Sequence, residues 1–267
     1  MTGQERHRSR PKALKARLAA GDKLLGCFLN SASPIVAELM AIAGYDCLMI
    51  DAEHSPVGLE TALAMAAAIK AGGAATLMRV PANDPVYIKR ALDIGIDGVM
   101  APAVNSAAEA QALVAACRYP PAGQRGVAVP IIRASGYGFD AAEYAKRADD
   151  SLLVIAQIET AAAVAEAERI AAVPGIDLVF IGPFDLSASL GHLGQPDHPD
   201  AMAAIARIEA AVRKQDKWLG AIPTAARPAD RLFAEGYRLV LAGADLMLLR
   251  EAARAQVERY KPAPSLI

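Results

Sequence analysis

Short apolar runs and longer alanine-rich segments of helical period alternate along almost the whole sequence. The runs that read as strands are residues 24–29, 46–50, 75–80, 98–102, 152–158, 178–182, 218–222 and 238–243. Strands that alternate with helices form parallel sheets, and continuous apolar runs indicate strands buried on both faces. Eight such units predict an α/β fold, a closed (β/α)8 TIM barrel, and 267 residues suit one barrel domain.

Further helices are predicted at the two ends of the chain. The amphipathic stretch KALKARLAAG (12–21) predicts a helix that caps the barrel before the first strand. Another alanine-rich helix is predicted over 244–260, after the last strand. The basic tip predicts a flexible N-terminus over 1–10, which leaves 11–267 as the barrel domain.

Charge and composition narrow the class of partner. The formal net charge is −1, with a sequence pI near 6.4, so no field is expected to attract nucleic acid or an anionic membrane surface. No apolar run reaches the roughly 18 residues that cross a bilayer. We therefore expect a small-molecule substrate. Three widely spaced cysteines among apolar neighbours (Cys27, Cys47 and Cys117) indicate reduced thiols and favour the cytoplasm.

One connection is longer than the others. Residues 119–150, between the fourth and fifth strands, begin with YPPAGQRGVAVPIIRASGYG, which holds too many prolines and glycines for a regular element. A long excursion in a compact domain is usually functional. We expect part of it to reach an active site, in this subunit or a neighbouring one.

Polar side chains gather where the predicted strands end. They are Asp51, Glu53 and His54 after strand two, Arg79 in strand three, Gln157 and Glu159 at strand five, and Asp185 after strand six. The carboxyl ends of barrel strands meet on one face, which carries the active site in barrel enzymes. These side chains are therefore predicted to share one pocket.

The predicted strands contain no lysine. Lys23 and Lys217 lie just before strands one and seven, at the opposite end of the barrel. A Schiff-base aldolase needs a desolvated lysine amine in its pocket, so that mechanism is disfavoured. A metal ion is the natural alternative electron sink. Glu159 and Asp185 supply the hard oxygen ligands that suit Mg²⁺ or Mn²⁺.

Each of these residues also has a structural interpretation. Asp185 could cap a short helix, and Glu159 could be a first-turn carboxylate favoured by the helix dipole. His54 could be a packed or surface histidine. Arg79 could close a structural ion pair, since an arginine inside an apolar strand requires a fixed anionic partner. Local sequence alone leaves these alternatives open.

Longer motifs extend the argument. They are MIDAEHSP (49–56), MRVPANDPVYIKRALDIGIDGVMAP (78–102), RYPPAGQRG (118–126), QIET (157–160) and IGPFDLSASLG (181–191). With them the chain resembles, nearly end to end, the HpcH/HpaI family of class II pyruvate aldolases. Members include 4-hydroxy-2-oxoheptanedioate aldolase and 2-dehydro-3-deoxyglucarate aldolase.

The resemblance implies a divalent-metal site. Glu159 and Asp185 would ligate Mg²⁺ or Mn²⁺, with Co²⁺ as a further candidate, and Gln157 would brace a water on the ion. His54, oriented by Asp51, would be the general base, since imidazole exchanges protons near neutral pH.

The resemblance also implies a substrate site and a reaction. Arg79 would hold the keto oxygen and the developing enolate, while backbone amides around Gly182 and Phe184 would cradle the pyruvate carboxylate. Pro183 has no N–H to contribute. The implied reaction is reversible aldol cleavage of 2-oxo-4-hydroxy acids into pyruvate and an aldehyde through a metal-stabilised enolate. A homohexamer is implied, with the helix over 244–260 a candidate for exchange between subunits.

Departures from the family pattern concern the aldehyde side. Phe28 stands where the family usually has tryptophan, Asn30 and Ser31 add polarity, and Gly136 replaces a larger residue. Candidates to line the aldehyde side are Val127, Ile222 and Pro262. The rival interpretations are a CoA-thioester lyase of the citrate lyase β-subunit type, for which no basic nucleotide cluster is evident, and a non-catalytic barrel that acts as a binding module.

Overall fold

Eight parallel strands close into a barrel in chain order in the computed structural model, which describes residues 14–261. The strands are β1 (Leu24–Leu29), β2 (Cys47–Asp51), β3 (Ala75–Arg79), β4 (Gly98–Ala101), β5 (Leu153–Ile158), β6 (Leu178–Ile181), β7 (Trp218–Ala221) and β8 (Leu239–Ala244). β8 pairs with β1 to close the ring. The predicted barrel is confirmed, and each predicted strand lies within two residues of its observed bounds. The flexible N-terminus predicted over 1–10 lies outside the described residues.

Helices surround the barrel. They are α1 (Leu14–Ala19), α2 (Pro34–Ala43), α3 (Leu59–Gly72), α4 (Pro85–Ile94), α5 (Ala107–Cys117), α6 (Ala141–Ser151), α7 (Ala161–Ala171), α8 (Pro183–Ser189), α9 (Pro199–Lys214), α10 (Ala229–Ala234) and α11 (Asp245–Tyr260). Local signals set their ends. Ser33 caps α2 by accepting from the backbone N–H of Val36, and Gly44 ends that helix in a left-handed conformation.

The barrel interior is filled by apolar side chains. They are Leu24, Phe28, Cys47, Met49, Leu77, Met100, Leu153, Ile155, Leu178, Phe180, Leu239 and Leu241. Leu14 and Leu18 of α1 join this cluster and are buried, which confirms the predicted capping helix before the first strand. Because α1 and these side chains close the N-terminal end of the barrel, an active site is expected at the other end, where the strands end.

Aspartates fix the closed end of the barrel. Asp46, Asp97 and Asp177 each precede an even-numbered strand and accept from the backbone N–H of Leu25, Thr76 and Val154, near the start of the preceding strand, at 2.8–2.9 Å. An unpaired N–H at a strand start is costly when buried. These carboxylates are therefore structural, and they lie opposite the polar strand ends.

The long excursion packs on the outside of the barrel. Arg125 Nη2 lies 2.9 Å from Asp93 Oδ1, and Arg133 Nη1 donates to the carbonyl of Ile94 at 2.7 Å, so both arginines hold the C-terminal end of α4. That helix end lies at the closed end of the barrel. Tyr137 and Phe139 are exposed. Through these contacts the excursion lies away from the polar strand ends of its own barrel.

The last helix is scarcely covered. Asp245 is buried, whereas every later residue of α11 is exposed, including the apolar side chains Leu246, Met247, Leu248, Leu249 and Val257. α2 also exposes Ile35, Leu39 and Ile42. The helix predicted over 244–260 is confirmed. Within residues 14–261, no helix combines the length and the apolar character needed to span a membrane.

Candidate active site

Asp51 and Arg79 form a buried ion pair at the open end of the barrel. They end β2 and β3, and the parallel register sets them side by side. Arg79 Nε donates to Asp51 Oδ1 at 2.9 Å and Nη2 donates to Oδ2 at 2.7 Å. Only 1% of Asp51 and 6% of Arg79 is exposed. The guanidinium also lies over the Phe28 ring, 4.9 Å from its centroid. These contacts fix both the plane and the position of the positive charge.

Asp51 organises the loop that follows it. Its Oδ1 accepts from the backbone N–H groups of Glu53, at 3.1 Å, and His54, at 3.3 Å, and its Oδ2 accepts from Asn30 Nδ2 at 2.7 Å. Burial alone would raise the pKa of Asp51, but the hydrogen bonds and charge of Arg79 hold that pKa below its usual value. Asp51 thus contacts His54 through the backbone N–H and not through the imidazole.

Glu53 links the arginine to the histidine. Its Oε2 lies 3.0 Å from Arg79 Nη1 and 3.8 Å from His54 Nε2. The His54 side chain is 59% exposed, so it faces the solvent at the mouth of the barrel. Burial raises the pKa of Glu53 although the charge of Arg79 lowers it. The sequence placed Glu53 at a strand end without a role; its position two residues beyond Asp51 in a tight turn is what brings it to Arg79.

Glu159 is held in place by its neighbours. Its Oε1 accepts from the backbone N–H of Ala103 at 2.8 Å, and its Oε2 accepts from Gln157 Nε2. Burial raises the pKa of Glu159 to about 7, while the hydrogen bond from Ala103 lowers it. The charges of Glu53 and Asp185 add to the rise. Glu159 precedes Thr160, which caps α7 with its own hydroxyl, so the glutamate is not needed as a cap.

Asp185 lies in the first turn of α8. Gly182 is the N-cap residue of that helix, so Asp185 does not cap it, and its side chain is exposed. A β-carbon at Gly182 would lie 2.7 Å from Glu159 Oε2 and 2.9 Å from Gln157 Nε2. Only glycine permits this close approach of α8 to β5. Phe184 is half exposed beside them. The structure thus gathers every residue predicted for the site at one end of the barrel.

Comparison with known proteins agrees with this geometry. The sequence matches the family described as HpcH/HpaI aldolase/citrate lyase over residues 24–252, a range that contains every strand and the whole candidate site. This chain belongs to the HpcH/HpaI family.

Several relatives resemble this member of the HpcH/HpaI family over almost their full length. A hydroxypyruvate/pyruvate aldolase from Chromohalobacter salexigens is 41% identical over 90% of this chain and 94% of its own. A 5-keto-4-deoxy-D-glucarate aldolase from Klebsiella pneumoniae is 38% identical over 94% of this chain and 97% of its own. A solved HpcH/HpaI aldolase/citrate lyase family protein from Burkholderia cenocepacia is 39% identical, with a TM-score of 0.87 over 93% of this chain and 98% of that one. The predicted aldolase, a carbon–carbon lyase, is confirmed.

The donor set fits a divalent cation. Metal dependence is typical of the HpcH/HpaI family. Within residues 14–261, Gln157 Oε1 is buried without a hydrogen-bond donor, and Gln157 contacts Glu159. Buried polar atoms are normally satisfied, so an unpaired acceptor beside crowded carboxylates indicates a place for a hydrated cation. Glu159 and Asp185 are the acidic residues that could hold it.

A second group of titratable side chains lies between α8 and α9. One ligand atom from each of His192, His198 and Asp200 falls within 4.8 Å of the others, and the two imidazoles are stacked with centroids 3.4 Å apart. Asp200 donates its backbone N–H to His198 Nδ1 at 3.2 Å, so His198 caps α9. His192 Nε2 lies 2.8 Å from Asp200 Oδ2. Helix capping accounts for His198 and Asp200, and the group shares no residue with the candidate site.

Proposed function

We propose that this HpcH/HpaI aldolase makes and breaks the bond between pyruvate and an aldehyde at the open end of its barrel. The observation that carries the proposal is the guanidinium of Arg79, which Asp51 fixes and which lies 3.0 Å from Glu53. Glu159 and Asp185 belong to the same group of charges. A positive group rigidly held at the site where negative charge develops on an oxygen is what enolate formation needs.

Glu159 and Asp185 are proposed to hold a divalent cation, with Mg²⁺ or Mn²⁺ first and Co²⁺ as a further candidate. A bound cation would polarise the keto group of pyruvate and so acidify its methyl hydrogens. Gln157 keeps Glu159 in place through its Nε2, and its buried Oε1, which has no hydrogen-bond partner, would brace a water on the cation.

Two hydrogen-bond donors would orient pyruvate, one at its keto oxygen and one at its carboxylate. Arg79 faces the keto oxygen and would stabilise the negative charge that this oxygen gains. At the start of α8 the Gly182 N–H donates to the Ile158 carbonyl at 3.1 Å, so the backbone amide of Phe184 would receive the carboxylate, with Gly182 shaping the space beside it. Asp51 takes no part in bonding the substrate and keeps Arg79 from rotating.

His54 is proposed as the base that removes a methyl proton and returns it in the cleavage direction. Its exposed position at the barrel mouth lets it exchange that proton with solvent. Asp51 fixes the His54 backbone, and Glu53 is the carboxylate nearest the ring. The orientation by Asp51 inferred from the family would thus act through the main chain.

The assembly is proposed to be a homohexamer of barrel domains spanning 11–267, with α11 exchanged between subunits. The exposed apolar residues of α11 and those of α2 support this, because an apolar helix surface is normally covered. The excursion with its exposed Tyr137 and Phe139 would then approach a neighbour's site. Three buried free thiols agree with the cytoplasmic location proposed for the enzyme.

The aldehyde is proposed to be short and polar. The relatives named as aldolases of hydroxypyruvate and pyruvate, or of 5-keto-4-deoxy-D-glucarate, guide this proposal. Asn30 and Ser31 add polarity at the end of β1, and Ile222 is a candidate for the lining. Val127 lies on the excursion at the closed end of the barrel, so it would line the site of a neighbouring subunit. Pro262 lies outside the described residues.

The test is a retro-aldol assay that follows pyruvate release from 2-oxo-4-hydroxy acids. The acids would be those derived from succinic semialdehyde, tartronate semialdehyde, lactaldehyde and glycolaldehyde. EDTA should abolish release and Mg²⁺ or Mn²⁺ should restore it. Activity that persists in EDTA would contradict the metal assignment, and no release from any of these acids would contradict the proposed reaction.

A further inference from the structure

Asn30 makes a side-chain contact that the reaction above does not require. It follows β1, and its Nδ2 donates to Asp51 Oδ2 at 2.7 Å. The same oxygen accepts from Arg79 Nη2, also at 2.7 Å. Asn30 thus completes the set of donors around the carboxylate that fixes the guanidinium.

The main chain of Asn30 is anchored separately. Asp245, the first residue of α11, is buried, with 4% of its surface exposed. Its Oδ1 accepts from the Asn30 N–H at 2.8 Å, and its Oδ2 accepts from the Ser31 N–H at 3.2 Å and from the Ser31 hydroxyl. Asp245 therefore holds the backbone of this loop, and the side-chain amide of Asn30 remains available to donate to Asp51.

We propose that Asn30 and Asp245 are positioning residues for Arg79: Asp245 sets the Asn30 backbone, the Asn30 amide sets Asp51, and Asp51 sets the guanidinium. The inference rests on the substrate role proposed for Arg79. Long arginine side chains sample many rotamers, and a displacement of about 1 Å at a catalytic group can cost on the order of 100-fold in rate. These contacts also connect the first turn of α11 to the substrate site. A change in the position of that helix would therefore change the position of Arg79.

The test compares variants at Asn30 with a matched asparagine. Asn30→Ala and Asn30→Asp should each lower kcat by about ten-fold, since a hydrogen bond to a buried charge is lost, while KM changes less. Asn30→Asp keeps the volume and removes the donor, so it should be no better than Asn30→Ala. Asn83→Ala, which removes one hydrogen bond to the carbonyl of Glu109 in α5, should leave kcat unchanged. Rescue of kcat by Asn30→Asp would overturn the inference.

A double-mutant cycle separates positioning from a general loss of stability. In an Arg79→Lys background the bidentate contact no longer exists, so Asn30→Ala should add almost nothing to the loss in kcat/KM. Asp245→Asn should resemble Asn30→Ala and be equally non-additive with it. Losses that multiply independently would overturn the inference while the proposed reaction stands. If Arg79→Lys is as active as the wild type, the role of Arg79 fails, and the positioning role fails with it.

Discussion

Arg79 meets Asp51 edge to edge, with both nitrogens of one guanidinium edge on the two oxygens of one carboxylate, at 2.9 and 2.7 Å. The pair closes the ends of two adjacent strands, and both partners are almost fully buried. Burying such a pair is costly unless the remaining hydrogen bonds are also made, and Asn30 and the turn after β2 make them for Asp51. The pair is therefore a fixed part of the site.

Replacing Arg79 with lysine should reduce catalysis strongly. A lysine keeps the charge but cannot make the planar two-point contact with Asp51, so the positive group loses its fixed position. We expect kcat/KM for retro-aldol release of pyruvate to fall by about 100-fold, the order seen when an oxyanion donor is removed. Steady-state kinetics would measure this. An unchanged kcat/KM would show that Arg79 only stabilises the fold.

Asp51→Asn should destabilise the protein in a pH-dependent manner. The folded-state pKa of Asp51 is lowered, so its contribution to stability is present above the unfolded-state pKa of about 3.9 and is lost as the pH falls through the folded-state pKa. At pH 7 the variant should lose about 3 kcal/mol of unfolding free energy. Denaturant titrations from pH 7 to pH 3 should show this difference shrinking. A difference that stays constant with pH would contradict the assignment.

Glu159→Gln should weaken metal binding. The buried carboxylate is positioned by Ala103 and Gln157, and a neutral amide is a poor ligand for a hard cation. We expect Mn²⁺ affinity, measured by calorimetry on chelator-treated protein, to fall by at least about ten-fold. Glu166→Gln, on the exposed side of α7, is the matched control and should bind Mn²⁺ normally. Equal affinities for the two variants would exclude Glu159 as a ligand.

Gly98→Ala should destabilise the barrel. A β-carbon there would lie 2.7 Å from Leu77 Cδ2 and 3.0 Å from the Leu153 backbone oxygen, inside the packed core. Overpacking of this kind costs about 1–3 kcal/mol. Gly58→Ala, where a β-carbon meets nothing within 4 Å, should cost less than about 1 kcal/mol. Thermal denaturation of both variants would test this. Equal melting temperatures would show that the core at β4 accommodates the added methyl group without loss of stability.

The strands were predictable because two kinds of sequence signal, apolar runs and turn residues, indicate them. Apolar runs such as 152–158 indicate burial on both faces, and turn residues such as Gly44 and Gly95 end the helices between them. The site could be placed for the same reason, since Arg79 and Glu159 follow from the positions of the strand ends. Topology then brings them together.

The contacts within the site were not predictable. Whether Asp51 contacts the His54 ring or Arg79 depends on the β2–β3 register. Strands buried on both faces are apolar throughout and carry no alternation from which that register can be inferred. The bond from Asn30 to Asp245 joins residues 215 positions apart and exists only once β8 closes against β1. Likewise, the sequence does not reveal that the apolar residues of α11 are exposed, because the same residues would equally suit a helix packed against its own barrel.

The central claim is that this barrel enolises pyruvate with His54 as the base and a cation held by Glu159 and Asp185. The most direct measurement is proton NMR of pyruvate incubated with the Mg²⁺-loaded enzyme in D₂O. Methyl protons should exchange for deuterium without any aldehyde, and exchange should stop in EDTA and in His54→Ala. Exchange at the wild-type rate in His54→Ala would contradict the base assignment, and an enzyme that cleaves its substrate yet never exchanges pyruvate protons would contradict the account as a whole.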